Sequence, residues 1–247
     1  MGNIVDDIRA NEDTFADRPF NEVDSLALAQ LSYARMPVNV PRLDAEATDV
    51  DLAMVGVRDL LRAECYDDMF GKVWSPSMNV DLLRAMCESP RWRDLRVGGY
   101  VDEFDPETTK QFSACVFDVG DGSSYVAFRG TDSTIVGWKE DFAMAFRRPV
   151  AAQESAARYL ADIAGRRDGP LMVGGHSKGG NLAVYAAANA PAAVQERLIA
   201  VFCHDGPGFD ADFFDTPGYA RVAPLVDKSV PESSIVGMLF EMQIGRA

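Results

Sequence analysis

The sequence predicts an α/β fold: a mostly parallel central sheet with antiparallel strands at its start and a helical N-terminal region. Residues 1–95 carry apolar side chains near helical spacing, as in "NEVDSLALAQLSYARM", where acidic, cap-like residues come first. Between residues 97 and 130 the pattern changes to short strand-like runs. After residue 150, helical and strand-like segments alternate, which is typical of right-handed βαβ units and a parallel sheet.

The individual elements are predicted from short runs in chain order. "VGGYVDEFD", "KQFSACVFDV" and "SSYVAFRG" predict three strands, and the connectors "PETT" and "GDGS" indicate an antiparallel arrangement. "AAQESAARYLADIAGRRD" predicts a helix, "PLMVGG" a strand, Lys178–Asn189 a helix that ends before Pro191, and "RLIAVFCHDG" a further strand. We expect one domain over residues 1–247, with the sheet core in residues 96–247.

Charge and composition exclude several classes of function. The chain has 38 acidic and 24 basic residues and a formal charge of −14, which would repel nucleic acid and anionic membrane surfaces. It has neither a basic-then-apolar leader nor the roughly 20 apolar residues that a membrane span requires. We therefore expect a cytoplasmic protein with no nucleic-acid partner and no stable membrane span.

The cysteines and histidines are too few and too scattered for a metal site. The four cysteines form no C-x-x-C pair, and the chain has two histidines. We therefore expect buried free thiols, no disulfide frame, no metal and no cofactor.

The most informative stretch is "GGHSKGG", residues 174–180, in which Gly175 to Gly179 fit the pattern G-x-S-x-G. An apolar strand precedes it and an alanine-rich helix follows, which is the setting of a nucleophile elbow with Ser177 at the turn. Glycines at 174, 175, 179 and 180 would let the strand and helix backbones approach closely. The Lys178 amide at the helix N-terminus could donate to an oxyanion. The alternative is a glycine-rich turn that binds phosphate or only reverses the chain, but the G-x-x-x-x-G-K-[ST] pattern is missing.

A second stretch, "YVAFRGTDSTIVGWKEDF", places a threonine just after a predicted strand. Its tight Arg-Gly-Thr turn would present the Thr131 hydroxyl and amide above the sheet. Thr131 is therefore the predicted second donor of an oxyanion hole.

Together, "AFRGTDSTIVGWKEDF" and "GGHSKGGNLAVYAA" resemble the class 3 lipases and, more closely, an uncharacterised family of lipase-3-like α/β-hydrolases. The likeness extends to "PFNEVDSLALAQLSY", "QFSACVF", "HDGPGFD" and "VPESSIVGMLF". The resemblance implies an α/β-hydrolase fold in which Ser177 is the nucleophile and Thr131 helps to form the oxyanion hole. It also implies that Arg129 and Asp141 are structural ion-pair partners.

The acid of a catalytic triad is less clearly marked. In α/β-hydrolases the triad follows the chain order Ser, Asp, His, but the region that matches the acid segment of class 3 lipases offers only Ser233 or Ser234. Asp205, at the end of the next predicted strand, is the best candidate for the acid. Two weaker candidates, Asp227 and Glu232, are expected to be solvated surface charges.

The base has several alternatives. His176 directly precedes the nucleophile, so its side chain should point away from the Ser177 hydroxyl and pack. His204 is the candidate base, although it adjoins Asp205 on a strand, where consecutive side chains face opposite sides. The resembling families carry their histidine after a further strand, which would fall beyond Ala247 and imply a truncated or degenerate hydrolase that also lacks its edge strand and final helix. The Lys178 amine is a further alternative, with its side chain expected to be exposed.

The sequence therefore predicts a serine hydrolase that acts on a small acyl ester or a lipid. An acyltransferase or thioesterase would use the same site with a different acceptor. A non-catalytic interaction module that keeps the fold and the elbow but has lost the triad is the alternative from another class.

Overall fold

The computed structural model of the protein describes residues 2–44, 52–105, 107, 110–131 and 150–232. Within them a seven-stranded sheet follows the order of the chain, from β1 to β7. Its strands are β1 (Met54–Gly56), β2 (Arg96–Asp105), β3 (Lys110–Asp118), β4 (Ser124–Phe128), β5 (Leu171–His176), β6 (Leu198–His204) and β7 (Val226–Ser229). Strands β1 to β4 pair antiparallel, and strands β4 to β7 pair parallel. The α/β class is confirmed, while the sheet is evenly mixed and becomes parallel only in its C-terminal half.

Two groups of helices cover the sheet. The N-terminal group is α1 (Ile4–Ala10), α2 (Glu22–Leu31), α3 (Tyr66–Phe70) and α4 (Pro76–Glu88), with short 3₁₀ turns at Val57–Leu60 and Ala63–Cys65. The connecting group is α5 (Ala151–Arg166), α6 (Lys178–Asn189), α7 (Ala192–Gln195), α8 (Ala211–Phe214) and α9 (Pro217–Val222), followed by a 3₁₀ turn at Ala223–Leu225.

The strand order explains why the two groups lie on opposite faces. From β4 to β7 the sheet advances one strand at a time in one direction, so crossovers of the same hand place their helices on the same face. In β4, Val126 and Phe128 pack with α5 and α6, whereas Tyr125 and Ala127 pack with the N-terminal helices. This alternation is the period of two that a strand buried on both faces requires. The N-terminal region is therefore the layer that covers the second face.

Two strands were missed by the sequence analysis. Strand β1 lies in the region predicted to be helical, and its three residues are too few to show a period. Strand β7, with the sequence "VDKS", alternates between half-buried and exposed residues at the edge of the sheet. Charged side chains are common on such edges because they discourage pairing with another chain.

Other expectations can be compared with the described part of the chain. All four cysteines are free thiols; Cys115 and Cys203 are buried as expected, whereas Cys65 and Cys87 are only half-buried. No helix among the described residues is long and apolar enough to cross a membrane. Asp227 and Glu232 are exposed, as expected for surface charges. The predicted residues Asp141, Ser233 and Ser234 lie outside the described residues.

Candidate nucleophile site

The candidate site lies at the edge of the sheet where the parallel strands end. The register of β5 and β6 runs as far as the pair His176 and His204, so Ser177 and Asp205 follow adjacent strand ends. Thr131 follows the end of β4, the other neighbour of β5. The carboxyl edge of parallel strands is where open α/β sheets bind their ligands. The structure therefore brings Ser177, Asp205 and Thr131 to one edge of the sheet, with the Lys178 amide directly after Ser177.

Ser177 has the backbone conformation of a strained turn between strand and helix. Its φ is 56° and its ψ is −128°, and helix α6 begins at the next residue, Lys178. For a residue with a side chain, such a conformation costs about 1–3 kcal/mol and persists only where the surroundings enforce it. One such contact is the Ser177 amide, which donates to the His204 carbonyl at 2.8 Å. Ser177 as a whole is half-buried.

The glycines around Ser177 permit contacts between backbones. A Cβ atom on Gly175 would lie 2.5 Å from the carbonyl carbon of Gly179 and 2.5 Å from the Phe128 carbonyl oxygen. A Cβ atom on Gly179 would lie 2.1 Å from that same oxygen, and one on Gly180 would lie 3.0 Å from the Gly175 carbonyl oxygen. Real Cβ atoms do not approach other atoms as closely as 2.5 Å. Strand β5, helix α6 and the end of β4 can thus meet as they do only if Gly175 and Gly179 lack side chains, whereas a Cβ atom at Gly180 would be tight but less severe.

Gly174 has a different role from the one predicted. A Cβ atom on Gly174 would point to the α2 side of the sheet. It would lie 2.4 Å from the Tyr125 hydroxyl oxygen and 2.9 Å from Ser25 Oγ. Gly174 therefore makes room for buried hydroxyl groups and not for the helix of the elbow.

Asp205 is the second non-glycine residue of this site whose backbone has a left-handed conformation. Its φ is 53°, and its amide donates to the Ser229 carbonyl at 2.7 Å. Strand β6 ends at His204, so the alternation that separates the side chains of a strand no longer governs Asp205. Its carboxylate lies close enough to His176 to act on the pKa of that imidazole. Ser177 and Asp205, a hydroxyl and a carboxylate residue with strained backbones, thus follow the ends of the adjacent strands β5 and β6.

His204 lies in a buried network on the α2 side of the sheet. Its Nδ1 lies 2.8 Å from Ser229 Oγ, and its Nε2 lies 2.9 Å from Ser25 Oγ. Ser25 Oγ is in turn 2.8 Å from the Tyr125 hydroxyl oxygen. Both ring nitrogens of His204 are therefore hydrogen-bonded to serine hydroxyl groups, so neither can at the same time bond to Ser177 Oγ or to the Asp205 carboxylate. This arrangement argues against His204 as the base that activates Ser177.

His176 points to the same side of the sheet. Its Nδ1 lies 2.9 Å from the hydroxyl oxygen of Tyr33, which follows helix α2. Burial lowers the pKa of His176, and the nearby Asp205 carboxylate partly opposes that shift. The ring thus packs between the sheet and the N-terminal region, as the alternation along β5 predicts. Among the residues that the structure describes, no hydrogen bond joins Ser177 Oγ to either histidine.

The side chain of Lys178 is buried and not exposed, contrary to the expectation from its place in the first turn of a helix. Only 1% of its surface is accessible, and its Nζ donates to the Gln111 carbonyl of β3 at 2.8 Å. The ammonium group therefore points towards the sheet beneath α6. Its amide keeps the predicted place at the helix N-terminus, directly after Ser177.

Thr131 and Arg129 lie just beyond β4. Thr131 is half-buried. The residue before it, Gly130, approaches the end of β5 so closely that a Cβ atom would lie 2.6 Å from the His176 carbonyl oxygen. Arg129 is buried and forms an ion pair with Asp102, with Nη2 and Oδ1 2.8 Å apart. Arg129 is thus an ion-pair partner, although the partner among the described residues is on β2.

The family model for Mbeg1-like proteins matches residues 86–246, which is more than half of the 247-residue chain. The chain belongs to the Mbeg1-like family. The matched range contains β2 to β7 and every predicted site residue. No curated protein and no solved structure matches the chain.

Sequence reasoning missed the hydroxyl groups that bind the two histidines of this Mbeg1-like protein. Ser25 and Tyr33 come from a segment that precedes the matched range, and Ser229 comes from β7. The available signal was the likeness of "PFNEVDSLALAQLSY" to the lipase-3-like family, because that run contains both Ser25 and Tyr33.

The buried network predicts a loss of stability in acid. Burial, together with the neighbouring His176, lowers the pKa of His204 from its ordinary value near 6.5 to about 4. The folded state therefore binds this proton less readily than the unfolded state, so the contribution to stability is complete above pH 6.5 and is lost as the pH falls towards 4. The full effect is on the order of 3 kcal/mol.

Urea unfolding at about pH 7 and about pH 4.5 measures this loss, and His204→Gln is the comparison because glutamine does not titrate. We expect the difference in unfolding free energy between the two pH values to be clearly smaller in the variant. Carboxylates titrate in both proteins and cancel in the comparison. Equal pH dependence in the two proteins would show that His204 is not buried as a neutral ring.

Proposed function

We propose that this protein is a serine hydrolase that acts on a small acyl ester or a lipid, with an α/β-hydrolase fold and Ser177 as its nucleophile. The observation that carries the proposal is the strained Ser177 backbone between β5 and α6, in a turn where Gly175 and Gly179 pack closely against the Phe128 carbonyl. Strain of this kind at a half-buried serine exposes Oγ at the helix N-terminus. A turn that only reversed the chain would not need a serine there.

The reaction follows from the position of Ser177. Its Oγ would bond to the carbonyl carbon of the ester, and the bond from that carbon to the alcohol oxygen would break. The proton of the serine would leave with the alcohol, and water would then hydrolyse the acyl-enzyme to the free acid. The oxyanion formed in each step would be stabilised by the Lys178 amide and by Thr131 beside it. Asp205 is the carboxylate on the adjacent strand end.

A specific observation favours a second candidate, a non-catalytic interaction module. The two histidines of this chain are hydrogen-bonded to Tyr33, Ser25 and Ser229, and within the described part of the chain neither is bonded to Ser177 Oγ. In such a module the elbow would serve to join β5 to α6. The two candidates differ in whether Ser177 reacts with an electrophile.

Labelling with a fluorophosphonate probe, read by intact mass, distinguishes the two candidates. We expect the purified wild-type protein to gain one probe mass and Ser177→Ala to gain none, because the probe bonds to an activated serine oxygen. Ser75→Ala is the matched control, since Ser75 also has a positive φ, of 53°, at the start of a helix. It should label like the wild type.

The possible results of this experiment are unambiguous. Labelling that Ser177→Ala removes and Ser75→Ala keeps supports the hydrolase and would be followed by short-chain ester assays. A folded wild-type protein that does not label would contradict the hydrolase and favour the interaction module.

A further inference from the structure

Tyr33 touches both of the segments that carry the proposed site. Its hydroxyl oxygen lies 2.9 Å from Nδ1 of His176, the residue before Ser177. The same oxygen lies only 2.0 Å from where a Cβ atom of Gly130 would be, and Gly130 is the residue before Thr131. One phenol thus contacts the ends of both β4 and β5.

This contact and the one with the His176 carbonyl oxygen, 2.6 Å from the same position, together explain why Gly130 lacks a side chain. Any Cβ atom there would also lie 2.9 Å from Tyr33 Cζ, so the ring and the strand end could not both keep their places. The tyrosine fills the space on the α2 side, between the end of β4 and the His176 ring. Because a tyrosine ring is rigid, it fixes the separation of the two segments better than a flexible side chain would.

We propose that Tyr33 is a positioning residue for the Ser177 site, with a hydroxyl group that holds the segment of Thr131 and the segment of Ser177 at a fixed separation. The proposal rests on the proposed function, because the separation matters for catalysis only if Thr131 and Ser177 act on the same oxyanion. In this proposal Tyr33 acts through His176 and Gly130, the residues before Ser177 and Thr131. Displacement of an oxyanion donor by a fraction of an ångström reduces a rate without removing the nucleophile.

The test compares Tyr33→Phe with Tyr159→Phe. Each change removes one hydroxyl group from a hydrogen bond, since the Tyr159 hydroxyl donates to the Gly99 carbonyl on the α5 side of the sheet at 2.8 Å. Fluorophosphonate labelling at several probe concentrations separates the rate constant of inactivation from the probe affinity. For Tyr33→Phe we expect that rate constant to fall about ten-fold, with the apparent affinity changed by less than about two-fold. Tyr159→Phe should keep both values.

If the Tyr33 hydroxyl group only stabilised the fold, Tyr33→Phe and Tyr159→Phe would lower stability alike and would not differ in their labelling rate constants. Backbone amide resonances of ¹⁵N-labelled protein give a second readout, in which Tyr33→Phe should shift Thr131 and Ser177 and Tyr159→Phe should not. If Tyr33→Phe labels at the wild-type rate, the proposal is wrong.

A wild-type protein that does not label would contradict the proposed function. The amide resonances of Thr131 and Ser177 in Tyr33→Phe would then show by themselves whether Tyr33 positions the two segments. Shifts at both residues would support the positioning role, and their absence would overturn it.

Discussion

A methyl group at Gly179 is expected to lower the free energy of unfolding by about 3 kcal/mol or more. The added Cβ atom would lie 2.1 Å from the Phe128 carbonyl oxygen and 3.0 Å from the Arg129 carbonyl carbon. Both are backbone atoms at the end of β4, and neither can rotate away as a side chain could. Helix α6 would have to move off the sheet, which would disturb the turn at Ser177. Urea unfolding of Gly179→Ala against the wild type measures the effect.

Gly165→Ala is the matched control for this substitution. Gly165 is exposed near the end of helix α5, and a Cβ atom there would meet nothing within 4 Å. Alanine should therefore stabilise the protein by about 0.5–1 kcal/mol, because it reduces the freedom of the unfolded chain. If the two substitutions changed stability by the same amount, the close contact between α6 and β4 would be contradicted. Gly179→Ala should also lose fluorophosphonate labelling, whereas Gly165→Ala should keep it.

The fold could be predicted from sequence where the signal is local and long enough. The helix Lys178–Asn189 was predicted with its observed limits, because glycines begin it, alanines fill it and Pro191 follows it. The two strands that were missed, β1 and β7, have three and four residues. Their pairing depends on neighbours that are distant in the sequence, and so does the division of the sheet into antiparallel and parallel halves. Hydrophobic period alone does not show either feature.

The site divides in the same way between local and long-range features. The Ser177 turn is encoded by seven consecutive residues, and the structure gives this serine the strained conformation that the pattern predicts. The contacts of the histidines join residues 143 and 179 positions apart, which no short motif records. Lys178 shows the same limit, because its place in the first turn suggests exposure, while β3 lies close enough to bury its ammonium group.

Removal of Arg91 is expected to destabilise the protein by about 3–5 kcal/mol, because it leaves a buried carboxylate without its counter-charge. The guanidinium group of Arg91 donates to both oxygens of Asp24, at 2.9 and 2.5 Å, and both side chains are almost fully buried. It also donates to carbonyl groups of the segment between α1 and α2, those of Asp13, Thr14, Arg18 and Pro19. The group stands 4.0 Å above the centre of the Phe15 ring. This one side chain thus joins the end of α4 to the start of α2, the helix whose Ser25 binds His204.

Arg91→Met tests this prediction by urea unfolding, since methionine keeps much of the volume without the charge. Arg58→Met is the matched control, because Arg58 pairs with Asp94 at 2.8 Å while both side chains are mostly exposed, and exposed pairs contribute only about 0–1 kcal/mol. Asp24→Asn in the Arg91→Met background should recover part of the loss, because it removes the unpaired charge and keeps an oxygen that can accept from the Asn21 amide. If Arg91→Met were as mild as Arg58→Met, the pair would not hold the N-terminal layer on the sheet. If the double variant were less stable than Arg91→Met, the unpaired carboxylate would not be the cause of the loss.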